Sequence, residues 1–140
     1  MARTKLILPE NFNFSTQIDV RITDINYGGH LGNDSVLGII HEARVRLLAE
    51  KGFSEQDIDG VGIIMADTVI IYSSEGFYGD KLRIDVAVDE ISNTGCEIYY
   101  RFVRLANEKM IVKAKTKIVF YDYISKKVSR TPQIFVNAFK

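Results

Sequence analysis

The stretch Asp24-Ile25-Asn26-Tyr27-Gly28-Gly29-His30-Leu31-Gly32-Asn33-Asp34 decides how the rest of this chain is read. Its glycines and its lack of any apolar period make residues 24–32 a loop with unusual backbone angles. On its C-terminal side Asn33, Asp34 or Ser35 offers an N-cap. Val36, Leu37, Ile40, Ala43, Leu47 and Leu48 then recur at helical spacing until Gly52 stops them. On its N-terminal side residues 15–23 alternate polar and apolar through Ile18, Val20 and Ile22, the period of a half-buried strand. A polar loop therefore joins a strand to the one long helix of the chain.

Beyond that helix, Ser54 to Ile58 suit a further short helical turn, and Gly60 and Gly62 introduce a β-rich half. Residues 61–72, rich in Val and Ile and interrupted by Asp67, read as a long, largely buried strand. Leu82, Ile84, Val86 and Val88 face one way while Arg83, Asp85 and Asp89 face the other. Ser92-Asn93-Thr94-Gly95 is a turn signal, after which Cys96, Ile98, Tyr100 and Phe102 continue the inward row. The last strand sets Met110, Val112, Ala114, Thr116, Ile118 and Phe120 against Lys113, Lys115 and Lys117, and Thr131-Pro132 opens a short closing helix. One helix of about 18 residues cannot cover both faces of such a sheet. An α+β architecture is therefore predicted: an antiparallel five-stranded sheet wrapped around one long central helix, its other face left to solvent or a partner.

The 140 residues, 46% of them hydrophobic, suit a single domain over 1–140 with a real core. Eighteen basic and eighteen acidic residues cancel, which leaves no long-range field towards nucleic acid or an anionic membrane. The lone Cys96 cannot close an internal disulfide and points to a reducing cytoplasm. Met1-Ala2-Arg3-Thr4-Lys5 leads only to Leu6-Ile7-Leu8 before Pro9, far shorter than a signal-peptide core. The longest apolar runs fall well short of the ~20 residues that cross a bilayer.

The chemistry gathers in the opening loop. Asp24, Asn26, His30, Asn33 and Asp34 crowd beside Gly28, Gly29, Leu31 and Gly32. Glycines let backbone N–H groups face a ligand, and the first turn of a helix leaves N–H groups unpaired at the positive end of its dipole. Such donors form an oxyanion hole, each lowering the barrier of an acyl-transfer step by ~3–4 kcal/mol. A base is needed as well. Glu42 lies off the apolar stripe of the helix, on a side shared with Gly38, Val45 and Ala49, which suggests that a second surface packs there; its alternative is an i,i+4 pair with Arg46. Asp24, Asn33 and Asp34 each also have an ordinary reading as turn or cap residues. Asp67, inside an apolar strand, needs a partner or a purpose if it is buried.

Asp24-x-Asn26-x-x-Gly29-His30-x-x-Asn33, followed by His41-Glu42-Ala43-Arg44-Val45 and by Tyr78-Gly79-Asp80, resembles the hot-dog acyl-CoA thioesterases over nearly the whole chain. The resemblance implies the hot-dog fold and an acyl-CoA or acyl-carrier-protein thioester as substrate. It further implies no metal or organic cofactor, and a homodimer or homotetramer with the site at a subunit interface. In the 4-hydroxybenzoyl-CoA branch the second loop aspartate is the catalytic carboxylate, and here that position is Asn26, which cannot act as a base. A plant acyl-carrier-protein branch is similar in carrying Asn and His in this loop, and another branch places its carboxylate on the helix. The resemblance thus points to Glu42 as base, with Asn26 and His30 positioning substrate or water. Asp24, Gly28, Gly29, Leu31, Asn33 and Asp34 then bind substrate, and Asp67 lines the acyl pocket. Rival readings are a hydratase or dehydratase of the same fold and a non-catalytic acyl-CoA binding protein.

Overall fold

A computed structural model describes residues 5–140; Met1 to Thr4, part of the stretch expected to hold no leader, lie outside the described residues. Strand β1 (Phe14–Asp19) leads through a 3-10 turn (Ile22–Asp24) and the polar loop into helix α1 (Asn33–Glu50). Strands β2 (Gly62–Tyr72), β3 (Lys81–Asp89), β4 (Gly95–Arg104) and β5 (Lys109–Asp122) follow, then the two-residue β6 (Lys127–Val128) and helix α2 (Gln133–Phe139). All pairings are antiparallel in the order β1-β3-β4-β5-β2, with β6 paired to the end of β5. The sheet wraps around α1 as the sequence predicts, and β6 is the one strand the pattern did not announce.

The apolar stripe of α1 consists of Val36, Ile39, Ile40, Ala43, Leu47 and Leu48, all buried against Leu82, Ile84, Tyr100, Phe102 and Phe120 of the sheet. Leu37, expected on that stripe, is half exposed, because Ile39 occupies the inward position. The N-cap is Gly32 rather than Asn33, Asp34 or Ser35, so the helix starts a turn position earlier and no side chain caps it. The side of α1 bearing Gly38, Glu42, Val45 and Ala49 is exposed, not packed. Residues 54–58 form a turn rather than a helix: the Asp57 N–H donates to the Ser54 hydroxyl at 3.1 Å. At the C-terminus Phe135 stacks edge-on against Phe120 at 5.0 Å, and α2 closes that end of the core.

The chain departs from expectation at three places that matter below. β1 ends at Asp19, so Ile22 rides on the 3-10 turn with 65% of its surface exposed. β2 is an edge strand whose middle, Ile64 to Thr68, is exposed; a Val- and Ile-rich run reads alike whether a neighbouring layer of the same chain covers it or not. Asp85, expected to face water, is buried between Arg83 at 2.9 Å and Arg101 at 2.8 Å. The cause is the N-terminal segment, which crosses the outer face of the sheet and packs Leu6 with Ala87 and Tyr99, while Phe12 stacks on the Arg101 guanidinium at 4.3 Å.

Candidate active site

The polar loop is a miniature hairpin. Ile25 bridges Leu31, the Asn26 N–H donates to the His30 carbonyl at 2.9 Å, and the Gly29 N–H donates to the Asn26 carbonyl at 3.0 Å. Gly29 adopts φ 83°, which an L-residue takes only under strain, and this lets the chain reverse within four residues. The Asn26 side-chain oxygen accepts the N–H groups of Gly28 at 2.9 Å and His30 at 3.3 Å, so asparagine at this position organises the tip. Asp24 locks the base of the loop. Its buried carboxylate accepts from the Arg21 N–H at 2.8 Å and from the Arg21 side chain, and its own carbonyl accepts from Gly32. Burial pushes that carboxyl up, but the bonds from Arg21 outweigh burial and hold it below its ordinary value.

These bonds change which donors remain. Gly28, Gly29 and Gly32 spend their N–H groups within the loop, and Leu31 donates to the Gly76 carbonyl at 2.8 Å. Gly28, Gly29 and Leu31 therefore build the loop instead of presenting donors to a ligand, contrary to expectation. Among the described residues, no acceptor takes the N–H groups of Asn33, Asp34 and Ser35, the first turn of an uncapped 18-residue helix. The donors sit at the helix start, and of the expected binding residues Asn33 and Asp34 carry them. Asp34 lies close enough to Tyr72 that its charge, after burial, pushes the Tyr72 phenol up.

His30 projects from the hairpin towards the segment that follows β2. Its Nε2 lies 3.3 Å from Glu75 Oε2, and its ring meets Phe77 edge-on at 5.5 Å. The Leu31–Gly76 bond fixes this approach, and Gly76 sits so close to Leu31 that an added Cβ would stand 3.0 Å from Leu31 Cβ. Asp80 and Arg104 hold the far side: Arg104 Nε donates to Asp80 at 2.9 Å and its Nη2 to the Glu75 carbonyl at 2.5 Å. The Tyr78-Gly79-Asp80 motif thus braces the segment bearing Glu75. Nothing in the sequence pairs Glu75 with His30; only the docking of two loops does.

Glu42 stands elsewhere. It accepts from Arg46 Nε at 2.9 Å, and Arg46 continues to Thr16 at 2.7 Å and the Gln17 carbonyl at 3.0 Å. The pair lines a groove of about 760 Å³ between α1 and β1 together with Arg21, Asp24, Ser35 and Gly38. Glu42 shares that groove with one helix-start donor, Ser35, and its carboxylate is engaged by Arg46. Asp67 is exposed, not buried, beside a β-bulge on the edge strand, opposite Lys117.

A second polar group was not legible in the sequence. Arg44, on the buried stripe of α1, donates from Nε to Glu55 at 2.6 Å and from Nη1 to Tyr100 at 3.3 Å. Tyr100 in turn shares a 2.9 Å bond with Thr116, and His41 Nε2 meets the other Glu55 oxygen at 2.7 Å. Burial pushes the Glu55 carboxyl up, while the bonds from Arg44 and His41 outweigh burial and lower it. Arg44 and Glu55 line a cavity of about 590 Å³ with Gln56, Ile63, Met65 and Tyr123. Cys96 is buried, and burial pushes its thiol up, which makes it a core residue and not a nucleophile. Among the described residues no group of three His, Cys, Asp or Glu is placed to hold a metal ion, and no helix is long and apolar enough to cross a membrane.

Solved structures share this fold. A 1,4-dihydroxy-2-naphthoyl-CoA thioesterase from Synechocystis is 20% identical, with a TM-score of 0.82 over 89% of this chain and 93% of that one. A DHNA-CoA thioesterase from Staphylococcus aureus is 18% identical, with a TM-score of 0.78 over 89% and 84%. A gentisyl-coenzyme A thioesterase is 16% identical, with a TM-score of 0.80 over 91% and 100%. At these identities the likeness establishes the hot-dog fold. No curated protein sequence matches the chain. The model of one family matches residues 20–139, which span the loop, both helices and strands β2 to β6: the chain belongs to the thioesterase-like superfamily.

Proposed function

We propose that the protein hydrolyses an acyl-CoA or acyl-carrier-protein thioester at the loop joining β1 to α1. The observation that carries the proposal is the juxtaposition of a carboxylate-paired histidine, His30 with Glu75, and the uncapped first turn of α1. With His30 Nε2 facing the Glu75 carboxylate at 3.3 Å, the carboxylate favours the ring protonated at Nε2 and leaves the Nδ1 lone pair to accept a proton. A water held there attacks the thioester carbonyl carbon while its proton passes to His30. Negative charge moves onto the carbonyl oxygen, where N–H groups of Asn33, Asp34 and Ser35 receive it at the positive end of the helix dipole. The C–S bond then breaks, and the thiolate leaves with the proton that His30 took. Asn26 shapes the hairpin that aims His30.

This reading moves the base from Glu42 to His30, because Glu42 is engaged by Arg46 and lies in the groove facing β1, whereas His30 lies in the loop with its second nitrogen unspent. The reading includes a second copy of the chain. β2 is an eleven-residue edge strand with Ile64, Met65 and Tyr72 exposed, a surface that antiparallel pairing with another β2 would cover. The thioesterases of similar fold, which act on dihydroxynaphthoyl- and gentisyl-CoA, support a CoA thioester as substrate.

Thiol release from CoA thioesters by His30→Ala, Glu75→Gln and Glu42→Gln tests the assignment. We expect His30→Ala to lose about 100-fold or more in kcat. Glu75→Gln should lose less, because Glu75 acts through His30 and is itself 64% exposed. Glu42→Gln should stay within a few-fold of wild type. A collapse in Glu42→Gln with an active His30→Ala would return the base to the helix.

A further inference from the structure

We propose that the cavity beside Arg44 and Glu55 is a second part of the substrate site, taking the distal end of an acyl group that carries a neutral hydroxyl. The inference rests on the hydrolase reading given under Proposed function.

The cavity has a polar floor and apolar walls. Its apolar walls are Ile63, Met65 and the ring of Tyr123, whose hydroxyl is spent on the Ile63 carbonyl at 3.0 Å, and the exposed Gln56 completes the lining. Its volume of about 590 Å³ lies within the range of small-molecule sites. The floor is Arg44, whose side chain is only 8% exposed. Its guanidinium donates to Glu55 from Nε and to Tyr100 from Nη1, and among the described residues Nη2 has no acceptor. Glu55 accepts one bond on each oxygen, from His41 and from Arg44, and each oxygen keeps a lone pair.

The charge balance selects the ligand. Arg44 and Glu55 neutralise one another at 2.6 Å, so a carboxylate entering the cavity would meet a paired cation and an adjacent carboxylate. A purely apolar group would fill the cavity but leave the Arg44 Nη2 protons facing hydrocarbon. A hydroxyl satisfies both partners at once, accepting from Arg44 Nη2 and donating to Glu55.

Geometry joins the cavity to the loop only across two chains. Ile63 and Met65, at one end of β2, wall the cavity, while Tyr72, at the other end, lies near Asp34. Along α1 the rise from the Asn33 to Ser35 donors to Arg44 is about 14–17 Å, longer than a hydroxyaryl acyl group reaches from its carbonyl carbon to its hydroxyl within a single chain. Antiparallel pairing of two β2 strands about their middle exchanges the ends and lays the cavity of one protomer beside the loop of its partner. Each protomer's site is then incomplete without the other.

The experiment measures calorimetric binding of three non-hydrolysable CoA thioethers bearing 2-phenylethyl, 2-(4-hydroxyphenyl)ethyl and 2-(4-carboxyphenyl)ethyl groups, with thiol release from the corresponding arylacetyl-CoAs in parallel. The wild-type protein should bind the hydroxyl compound at least tenfold more tightly than either other. Glu55→Gln should reduce that preference to threefold or less. Gln56→Trp, at an exposed lining position outside β2, should weaken all three by filling the cavity without touching the core or the strand edge. Equal binding within twofold, a preference for the phenyl or carboxyl compound, an unchanged preference in Glu55→Gln, or unchanged affinities in the tryptophan variant would overturn the proposal. Selective binding without thiol release would sink the hydrolase reading and keep the cavity; thiol release without selectivity would do the reverse.

Discussion

Asn26 and His30 show how far individual residues could be read. Their loop, its glycines and the helix start were visible in the sequence, because punctuation by Gly and a polar cluster are local signals. The partners were not. Glu75 reaches His30 only because Leu31 bonds Gly76, and Arg44, which the sequence shows only within its helical motif, meets Glu55 from the segment after the helix. For Glu42 the local alternative was visible in the sequence, and the structure forms it: the Arg46 neighbour at i+4 pairs with its carboxylate. At this scale the account predicts that Asn26→Ala, which removes the acceptor of two loop N–H groups, loosens the hairpin and lowers kcat while leaving thermal unfolding of the core nearly unchanged. Hydrogen exchange at Gly28 and His30 checks this. Tyr100→Phe should be costlier for the fold: it strips a buried partner from both Thr116 and Arg44 and should destabilise by about 1–3 kcal/mol in urea titration.

Among elements, the helix and the inner strands were legible because their periods are set by a single buried face. Leu82, Ile84, Val86 and Val88 of β3 are buried as the alternation requires, and so are Cys96, Ile98, Tyr100 and Phe102 of β4. β2 was legible as a strand but its exposure was not, since its apolar run is the same whether another element of the chain or a second molecule covers it. The Glu55 segment between α1 and β2 carries a pH dependence. The Glu55 carboxyl is lowered below its unfolded value of about 4.3 by Arg44 and His41. Its contribution to stability is therefore fully present above that unfolded value and is lost as pH falls through the lower folded value. Glu55→Gln should flatten the acid limb of a stability profile measured by chemical denaturation between pH 5 and 2. An acid limb of unchanged slope would show that other carboxylates set it.

For the whole molecule, the antiparallel sheet around one helix was readable from element order and length, and it is what the chain adopts. The covering of the outer face was not, because the short apolar segment around Leu6 has no period of its own. The open edge at β2 carries the prediction proper to this scale. A proline at Thr68, in the exposed middle of β2, should convert a dimer to a monomer in sedimentation and reduce thiol release together with it, since the proposed site takes its loop and its cavity from different chains. A monomeric variant with full activity would separate the site from the interface. The measurement that bears most directly on the central claim is release of free thiol from a panel of acyl-CoAs by the purified wild-type protein, with hydration of an enoyl-CoA followed alongside. The account predicts protein-dependent thiol release, abolished in His30→Ala, and no hydration. Hydration without thiol release, or binding of acyl-CoA with neither reaction, would contradict it.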